Sequence, residues 1–200
     1  NNFKEFIRFI KKNKFDNLIA VDNTASKSFV SKYLDLIENG FNLISSNKIA
    51  NTLSFDIYQK LRAKLANCNR EYLYETNVGA GLPLVDTIRL LHDSGEDITK
   101  IRGVFSGSLS FLFNEFSKKD VSFSEVLRSA IKNGYTEPDP REDLCGNDVA
   151  RKLVILAREL DLSNEVEDVF VENLIPTNLR KIPLELFFEK LSHFNKVYNF

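Results

Sequence analysis

The chain has 200 residues, of which 43% are hydrophobic, and its formal net charge is −1. That length supports one sizeable core or two small lobes, and the near-neutral charge gives no general attraction to nucleic acid or acidic membrane. No apolar run reaches the length of a membrane span, no signal peptide is visible, and the two cysteines, Cys68 and Cys145, lie far apart, which suits a reducing cytosol. We therefore expect a cytoplasmic chain with neither a nucleic-acid nor a membrane partner.

The first half of the chain alternates short apolar strands with amphipathic helices. Strands are predicted over 17–24, 41–46 and 71–78, and helices over 26–40 and 52–67. Strands that alternate with helices form a parallel sheet with right-handed crossovers, and such sheets bind ligands at the carboxyl ends of their strands. Polar residues follow the predicted strands at those ends: Asn23, Thr24, Ser46, Asn47, Lys48 and Asn77.

The second half contains more helix and two isolated strands. A glycine-containing break at 79–83 separates it from the first half. Its predicted elements are helices over 82–94, 108–117, 122–134, up to about 160, and 184–194, with strands over 97–107 and 167–175. The fold class is therefore α/β, with a parallel sheet followed by an α+β part that contains a mixed sheet.

The stretch "GYTEPDPREDLCGNDVARK" (134–152) is densely charged and leads directly into a helix. On that helix Arg151 and Arg158 are predicted to lie opposite the apolar side and to face water. The apolar side, which should face the core, contains Val149, Leu153, Leu156 and Leu160.

Asp148 and Lys152 lie one turn apart on the flank of that apolar stripe, which predicts a half-buried position. The loop before them is stiffened by Pro138 and Pro140, since proline fixes φ. Three further carboxylates lie on this loop, at Glu137, Asp139 and Asp143. Two interpretations are open: a surface salt bridge of a few tenths of a kcal/mol, or a pocket in which acids hold an ammonium group and the lysine polarises or protonates an oxygen.

Several long motifs resemble homoserine dehydrogenase: "NVGAGLPLVDTI", "GVFSGSLSFLFNEF", "GYTEPDPREDLCGNDVARKLVILARE", and, in the first half, "VDNTAS" and "SSNKIANT". "LYETNVGAGLP" and "NKIANT" are most similar to the dehydrogenase part of fused aspartokinase–homoserine dehydrogenases. The resemblance implies NAD- or NADP-dependent interconversion of L-aspartate 4-semialdehyde and L-homoserine in threonine, methionine and isoleucine biosynthesis. It also implies a homodimer and suggests a fused aspartokinase domain.

The same resemblance implies roles for individual residues. Lys152 and Lys48 are the expected acid–base lysines, and which of them delivers the proton is left open. Ser106, Gly107 and Ser108 resemble a serine-rich turn beside the family's site. The residues expected to bind the substrate are Glu137, Asp143 and Asp148. Those expected to bind the cofactor are Asn23, Thr24 and Lys48.

"ETNVGAGL" resembles the family's monovalent-cation loop. The resemblance implies that the Glu75 side chain and the carbonyls of Val78, Ala80 and Leu82 bind an ion such as sodium, because oxygen ligands suit a hard cation. The alternative is a turn in which Gly79 and Gly81 adopt positive φ.

The resemblance implies a partial NAD(P)-binding Rossmann domain over 1–78 and a catalytic and dimerisation domain over 79–200. The glycine-rich signature G-x-G-x-x-G of dinucleotide-binding folds does not occur in this sequence, so we expect this chain alone to bind the cofactor weakly. Two other hypotheses are open. One is a truncated, non-catalytic remnant that acts as a folded dimerisation module, and the other is a metal-dependent lyase or hydrolase built on Glu137, Asp139, Asp143 and Asp148.

Overall fold

The computed structural model describes residues 2–118 and 120–198. They form two compact units, the first within Asn1–Ile98 and Val154–Asp168 and the second within Thr99–Leu153 and Val169–Phe200. Within the described residues no helix combines the length and the apolar character needed to span a membrane. The functional division at residue 78 stays a prediction.

The first unit contains a parallel sheet, as predicted. Strands β1 (Ile19–Asp22), β2 (Asn42–Ser45) and β3 (Tyr72–Leu73) pair in chain order, with Ile19 opposite Asn42 and Leu43 opposite Tyr72. The regular elements of this unit are α1 (Phe3–Asn13), β1 (Ile19–Asp22), α2 (Lys27–Val30), α3 (Tyr33–Glu38), β2 (Asn42–Ser45), α4 (Phe55–Cys68), β3 (Tyr72–Leu73) and α5 (Leu84–Asp93). The third strand is much shorter than predicted because the chain turns into a 3-10 helix at Glu75–Asn77.

The helix predicted over 26–40 forms as two shorter helices, α2 and α3. The Ser26 hydroxyl accepts a hydrogen bond from the Phe29 N–H at 3.2 Å and so caps α2, as expected of an N-cap serine. Gly40 ends the segment with φ +90°, a conformation that costs glycine little. Between these ends Tyr33 and Ile37 are fully buried and anchor α3 in the core of the first unit.

The regular elements among the described residues of the second unit are all helices. Its helices are α6 (Gly107–Lys118), α7 (Phe123–Lys132), α8 (Arg141–Leu144), α10 (Leu184–Glu189) and the first part of α9 (Asn147–Arg158), whose last turns belong to the first unit. A reciprocal capping box between Ser122 and Glu125 begins α7. The core is aromatic: Phe123 is fully buried and stacks on Phe194 at 5.5 Å between ring centroids.

The mixed sheet predicted for the second half does not form. Neither 97–107 nor 167–175 is a strand, and within the described residues the only sheet is the three-stranded one of the first unit. Val104 is 73% exposed and Phe170 is 93% exposed. A strand needs a neighbour to accept its backbone hydrogen bonds, so apolar composition alone did not produce one here.

The prediction for the charged helix was partly wrong. Arg151 is exposed and Leu156 is buried, as expected, but Leu153 is 37% exposed. Arg158, predicted to face water, is only 3% exposed. Its guanidinium donates to backbone carbonyls, including that of Leu53 at 2.8 Å, and forms an ion pair with Glu165 at 3.0 Å. Backbone carbonyls from distant loops therefore cover Arg158 on the polar side of this helix. The helical periodicity of the sequence does not predict this burial.

Gly146, just before α9, occupies a position that only glycine fits well. Its φ is +77°, and a Cβ there would lie 2.7 Å from Cγ1 of Val171. We expect Gly146→Ala to lower the free energy of unfolding by about 2–4 kcal/mol, from left-handed strain plus overpacking. Gly95→Ala is the matched control, because Gly95 has φ +89° but open space around it. Urea denaturation measures the free energy of unfolding of both variants. An equal decrease in the two would show that the contact with Val171 does not contribute to the destabilisation.

Candidate functional site

A buried hydrogen-bond network lies at the carboxyl ends of β1 and β2. The Asp22 carboxylate accepts hydrogen bonds from the Tyr33 hydroxyl at 2.6 Å, the Asn47 amide at 3.1 Å and the Thr24 hydroxyl at 2.7 Å. Burial would raise the pKa of Asp22, but these hydrogen bonds outweigh burial and hold it below its ordinary value. The same carboxylate, together with burial, raises the pKa of Tyr33. Asp22 is therefore an ionised carboxylate inside the protein, fully supplied with donors.

This network holds the turn that contains Lys48. The Asn47 N–H donates to the Ser45 hydroxyl at 2.9 Å, and the Asn47 side-chain oxygen accepts from the Ile49 N–H at 3.1 Å. Asn47 thus fixes the backbone on both sides of Lys48 and links it to Asp22. Lys48 itself is partly buried.

Asn23 and Thr24 are exposed at the same edge of the sheet. The Thr24 hydroxyl accepts from the Ser26 N–H at 3.1 Å, and the Asn23 side-chain oxygen accepts from the Ser46 hydroxyl at 3.3 Å. The edge is therefore polar and held in place by its own hydrogen bonds. Ligands of open parallel α/β sheets bind at this edge, and the roles of Asn23, Thr24 and Lys48 stay predictions.

The Asp22 network predicts how stability depends on pH. Because the folded-state pKa lies below the ordinary value of 3.8, the contribution of Asp22 is present above that value and is lost as pH falls through the folded pKa. We expect Asp22→Asn to cost about 1–3 kcal/mol at neutral pH, and the difference from wild type to shrink in acid. Urea denaturation at several pH values measures this, with Asp16→Asn, an exposed acid of the same unit, as the control. A difference that is constant down to pH 2 would contradict the assignment.

In the second unit, the acidic loop and the serine turn meet at Asp143. Its carboxylate accepts from the Ser108 hydroxyl at 2.7 Å and from the Glu137 N–H at 2.8 Å. The Ser106 and Ser108 hydroxyls lie 2.9 Å apart, which extends the chain of hydrogen bonds. Asp143 therefore orders the loop while Glu137 remains exposed.

Asp139 has a different environment. It forms an ion pair with Arg141 at 2.6 Å, and a hydrogen bond from that guanidinium keeps the pKa of Asp139 below its ordinary value. Arg141 in turn donates to the Ile182 carbonyl at 2.7 Å and lies 5.3 Å from the Phe187 ring centroid. Asp139 thus stabilises the fold of the loop.

Asp148 and Lys152 form the predicted pair on the flank of α9. Lys152 Nζ lies 2.7 Å from Asp148 Oδ2 and donates to the Phe105 carbonyl at 2.7 Å. The Lys152 side chain is 16% exposed and that of Asp148 is 46% exposed, which confirms the half-buried position. The Lys152 ammonium group is therefore held by a backbone carbonyl from a distant segment of the chain. A solvent-exposed surface salt bridge would not need this contact.

The glycine loop is organised by Glu75. Its two carboxylate oxygens accept from the backbone N–H groups of Val85 at 2.8 Å and Asp86 at 2.9 Å, in the first turn of α5. Gly79 has φ +86°, as the turn interpretation expects. The second residue with positive φ is Ala80, at +55°, rather than Gly81.

The divalent-metal hypothesis is not supported by the arrangement of the acids. Within 2–118 and 120–198, no three Asp, Glu, His or Cys side chains come together as a metal site requires. Asp139 is turned to Arg141, Asp143 to Ser108 and Asp148 to Lys152.

Sequence reasoning missed the supporting residues of both sites. Asp22 ends an apolar strand, and an acid in that position is a usable signal. Tyr33 lies among the apolar positions of its helix, which indicates only a core residue, yet its hydroxyl reaches Asp22. The Phe105 carbonyl that holds Lys152 has no signal in the sequence.

A parallel sheet with helical crossovers and a polar edge at its strand ends defines an α/β protein. The second unit adds helix α9 with the Asp148–Lys152 ion pair, in which the lysine also donates to the Phe105 carbonyl. Residues 83–198 match the model of the homoserine dehydrogenase family, and the chain belongs to that family.

Three similar proteins illustrate the relationship. The chain is 43% identical over 197 residues to a chloroplastic bifunctional aspartokinase/homoserine dehydrogenase 1 from Zea mays, covering 98% of this chain and 21% of the maize protein. It superposes with a TM-score of 0.91 and 33% identity on a Candida auris protein of unknown function, covering 98% of this chain and 56% of that one. A hyperthermophilic archaeal homoserine dehydrogenase in complex with NADPH gives a TM-score of 0.63 and 27% identity, covering 76% of this chain and 46% of that one. The chain spans about a fifth of the length of the curated relatives.

Proposed function

We propose that the protein containing this chain is an NAD- or NADP-dependent homoserine dehydrogenase, which interconverts L-aspartate 4-semialdehyde and L-homoserine. The observation that carries this proposal is the half-buried Asp148–Lys152 pair, held at the Phe105 carbonyl. The pair lies within the span that matches the family.

The substrate is an amino acid with a reacting oxygen at the far end of its side chain, and the second unit offers groups for both ends. Glu137, Asp143 and Asp148 take the ammonium group through charge-assisted hydrogen bonds. Lys152 faces the reacting oxygen, where its positive charge stabilises a developing alkoxide and its proton completes the alcohol. Lys48 is the second candidate for this proton. Asp143, already oriented by Ser108, would need little rearrangement on binding.

The polar edge at the strand ends suits a nicotinamide cofactor. Asn23, Thr24 and Lys48 provide uncharged donors and acceptors and one cation on a turn held by Asn47. These residues would hold the cofactor close to the carboxyl ends of the strands, where open α/β sheets bind their ligands. When bound, the nicotinamide supplies or accepts the hydride. The complex of the archaeal relative with NADPH supports this class of cofactor.

A monovalent cation such as sodium is a further part of the proposal. The carbonyls of Val78, Ala80 and Leu82 lie on the turn beside Glu75. A carboxylate oxygen that accepts one backbone hydrogen bond retains a second lone pair, so the cap that Glu75 provides for α5 is compatible with ion binding. The cation would stabilise the turn and would take no part in hydride transfer.

We also propose that the complete polypeptide carries an aspartokinase domain and assembles as a homodimer. The fused architecture is supported by relatives such as the maize protein, whose name gives both activities.

The proposal is tested by mixing the complete polypeptide with homoserine and NADP, or with NAD, and following the absorbance of the reduced nicotinamide. Turnover with either cofactor is expected. The 200-residue chain alone is tested in parallel, with fluorescence titration of NADPH. If the complete polypeptide shows no turnover at high concentration but is dimeric in solution, the alternative of a non-catalytic dimerisation module is correct.

A further inference from the structure

A second cleft, of about 700 Å³, lies in the first unit. It is formed by residues of α4, β3, α5 and the last turn of α9, and it includes none of the residues assigned above to substrate, cofactor or cation. Its size is in the range of small-molecule sites. Its walls include several aromatic rings, among them Tyr58 and Tyr74, and its lining carries three arginines, Arg62, Arg89 and Arg158, together with three acidic side chains.

Two of these three arginines already have carboxylate partners. Arg89 forms an ion pair with the buried Glu159 at 2.8 Å, and Arg158 forms one with Glu165 at 3.0 Å. Arg158 also donates to backbone carbonyls, including that of Asn51 at 2.8 Å. Both guanidinium groups are therefore committed to the fold.

Arg62 is the exception. Its guanidinium donates one hydrogen bond, to the Asn51 side-chain oxygen at 2.9 Å. It lies 4.6 Å from the ring centroid of Tyr58 and 4.7 Å from that of Tyr74. Within the part of the chain that the structure describes, no carboxylate lies within salt-bridge distance of it. Burial would lower the pKa of Arg62, but Tyr74, Tyr58 and the charge of Glu159 raise it. The cleft thus contains a positioned cation that stacks on aromatic rings and forms no direct ion pair within the described residues.

We propose that this cleft binds a small organic monocarboxylate, with its carboxylate on Arg62 and its apolar part against Tyr58 and Tyr74. The planar fork of a guanidinium matches a carboxylate in two parallel hydrogen bonds. Asp93 and Asp161 also line the cleft, and their negative charge disfavours a polyanion such as phosphate. This site is separate from the proposed catalytic one, and its test uses binding as the readout.

The experiment is calorimetric titration of the full chain with benzoate and, separately, with inorganic phosphate. We expect saturable binding of one benzoate per chain, at least about tenfold tighter than phosphate. Arg62→Gln should weaken benzoate binding by about tenfold or more, which corresponds to the loss of one charge-assisted pair. Arg8→Gln, which removes an exposed arginine of α1 in the same unit, should leave the affinity unchanged.

Absence of saturable benzoate binding would overturn the proposal, as would phosphate binding of equal strength or equal losses in the two arginine variants. If Arg62→Gln does not fold, modification of the wild-type chain by phenylglyoxal replaces it. Benzoate should then slow the modification of Arg62, located by mass spectrometry, and leave that of Arg8 unchanged. No slowing at Arg62 would equally reject the site.

Discussion

Replacing Lys152 by Ala in the complete polypeptide is expected to lower kcat for the reduction of L-aspartate 4-semialdehyde by about 10²–10³-fold. The ammonium lies between Asp148 and the Phe105 carbonyl on the side of α9. Its removal takes away the positive charge that would stabilise the alkoxide and the proton that would complete the alcohol. Steady-state kinetics with either nicotinamide cofactor provides the measurement.

The matched control is Lys132→Ala, which removes an exposed lysine of α7 in the same unit and should change kcat less than twofold. Glu137→Gln separates binding from chemistry, since loss of an ammonium contact should raise KM more than it lowers kcat. A Lys152→Ala variant with near-native kcat would remove Lys152 from the mechanism and leave Lys48 as the acid.

Replacing Arg158 by Leu is expected to destabilise the chain by about 3–5 kcal/mol, because it removes a buried guanidinium from three backbone carbonyls and from a partly exposed carboxylate. The substitution leaves the Glu165 carboxylate without its cation and the carbonyls of Asn51, Leu53 and Asn164 without their donor. Burial lowers the pKa of Arg158, but a guanidinium remains charged at neutral pH, so the ion pair is present under ordinary conditions. Urea denaturation gives the free energy of unfolding.

Arg151→Leu is the natural comparison, because it makes the same change on an exposed position of the same helix. It should alter stability by no more than about 0.5 kcal/mol. Similar losses for the two variants would mean that the buried network around Arg158 contributes no more than a surface arginine.

The elements that sequence predicted well are those with strong local signals. The parallel sheet followed from the alternation of apolar strands with amphipathic helices. The starts of the helices predicted over 26–40 and 122–134 are confirmed, and the structure shows a Ser26 cap at the first and a Ser122–Glu125 capping box at the second, both formed by residues a few positions apart. The flank position of Asp148 and Lys152 followed from the helical period and is confirmed by their partial burial.

The predictions that failed depended on partners far away in the chain. The segments 97–107 and 167–175 have the composition of strands, but a strand is defined by its neighbour. Arg158 has a position on the helical wheel that faces water in isolation, yet the carbonyls of Asn51 and Leu53 cover it.

The sequence by itself therefore determined the family, the parallel sheet and the chemical groups of the candidate site, because motifs, periodicity and caps are local properties of the chain. Only the tertiary structure decided which of those groups are buried and which hydrogen-bond partners they have. Asp22 gains the Tyr33 hydroxyl, Lys152 gains the Phe105 carbonyl, and Arg62 gains the Asn51 side chain and two tyrosine rings. The physical reason is that burial and hydrogen-bond pairing depend on residues brought together from distant positions, and no local pattern encodes that proximity.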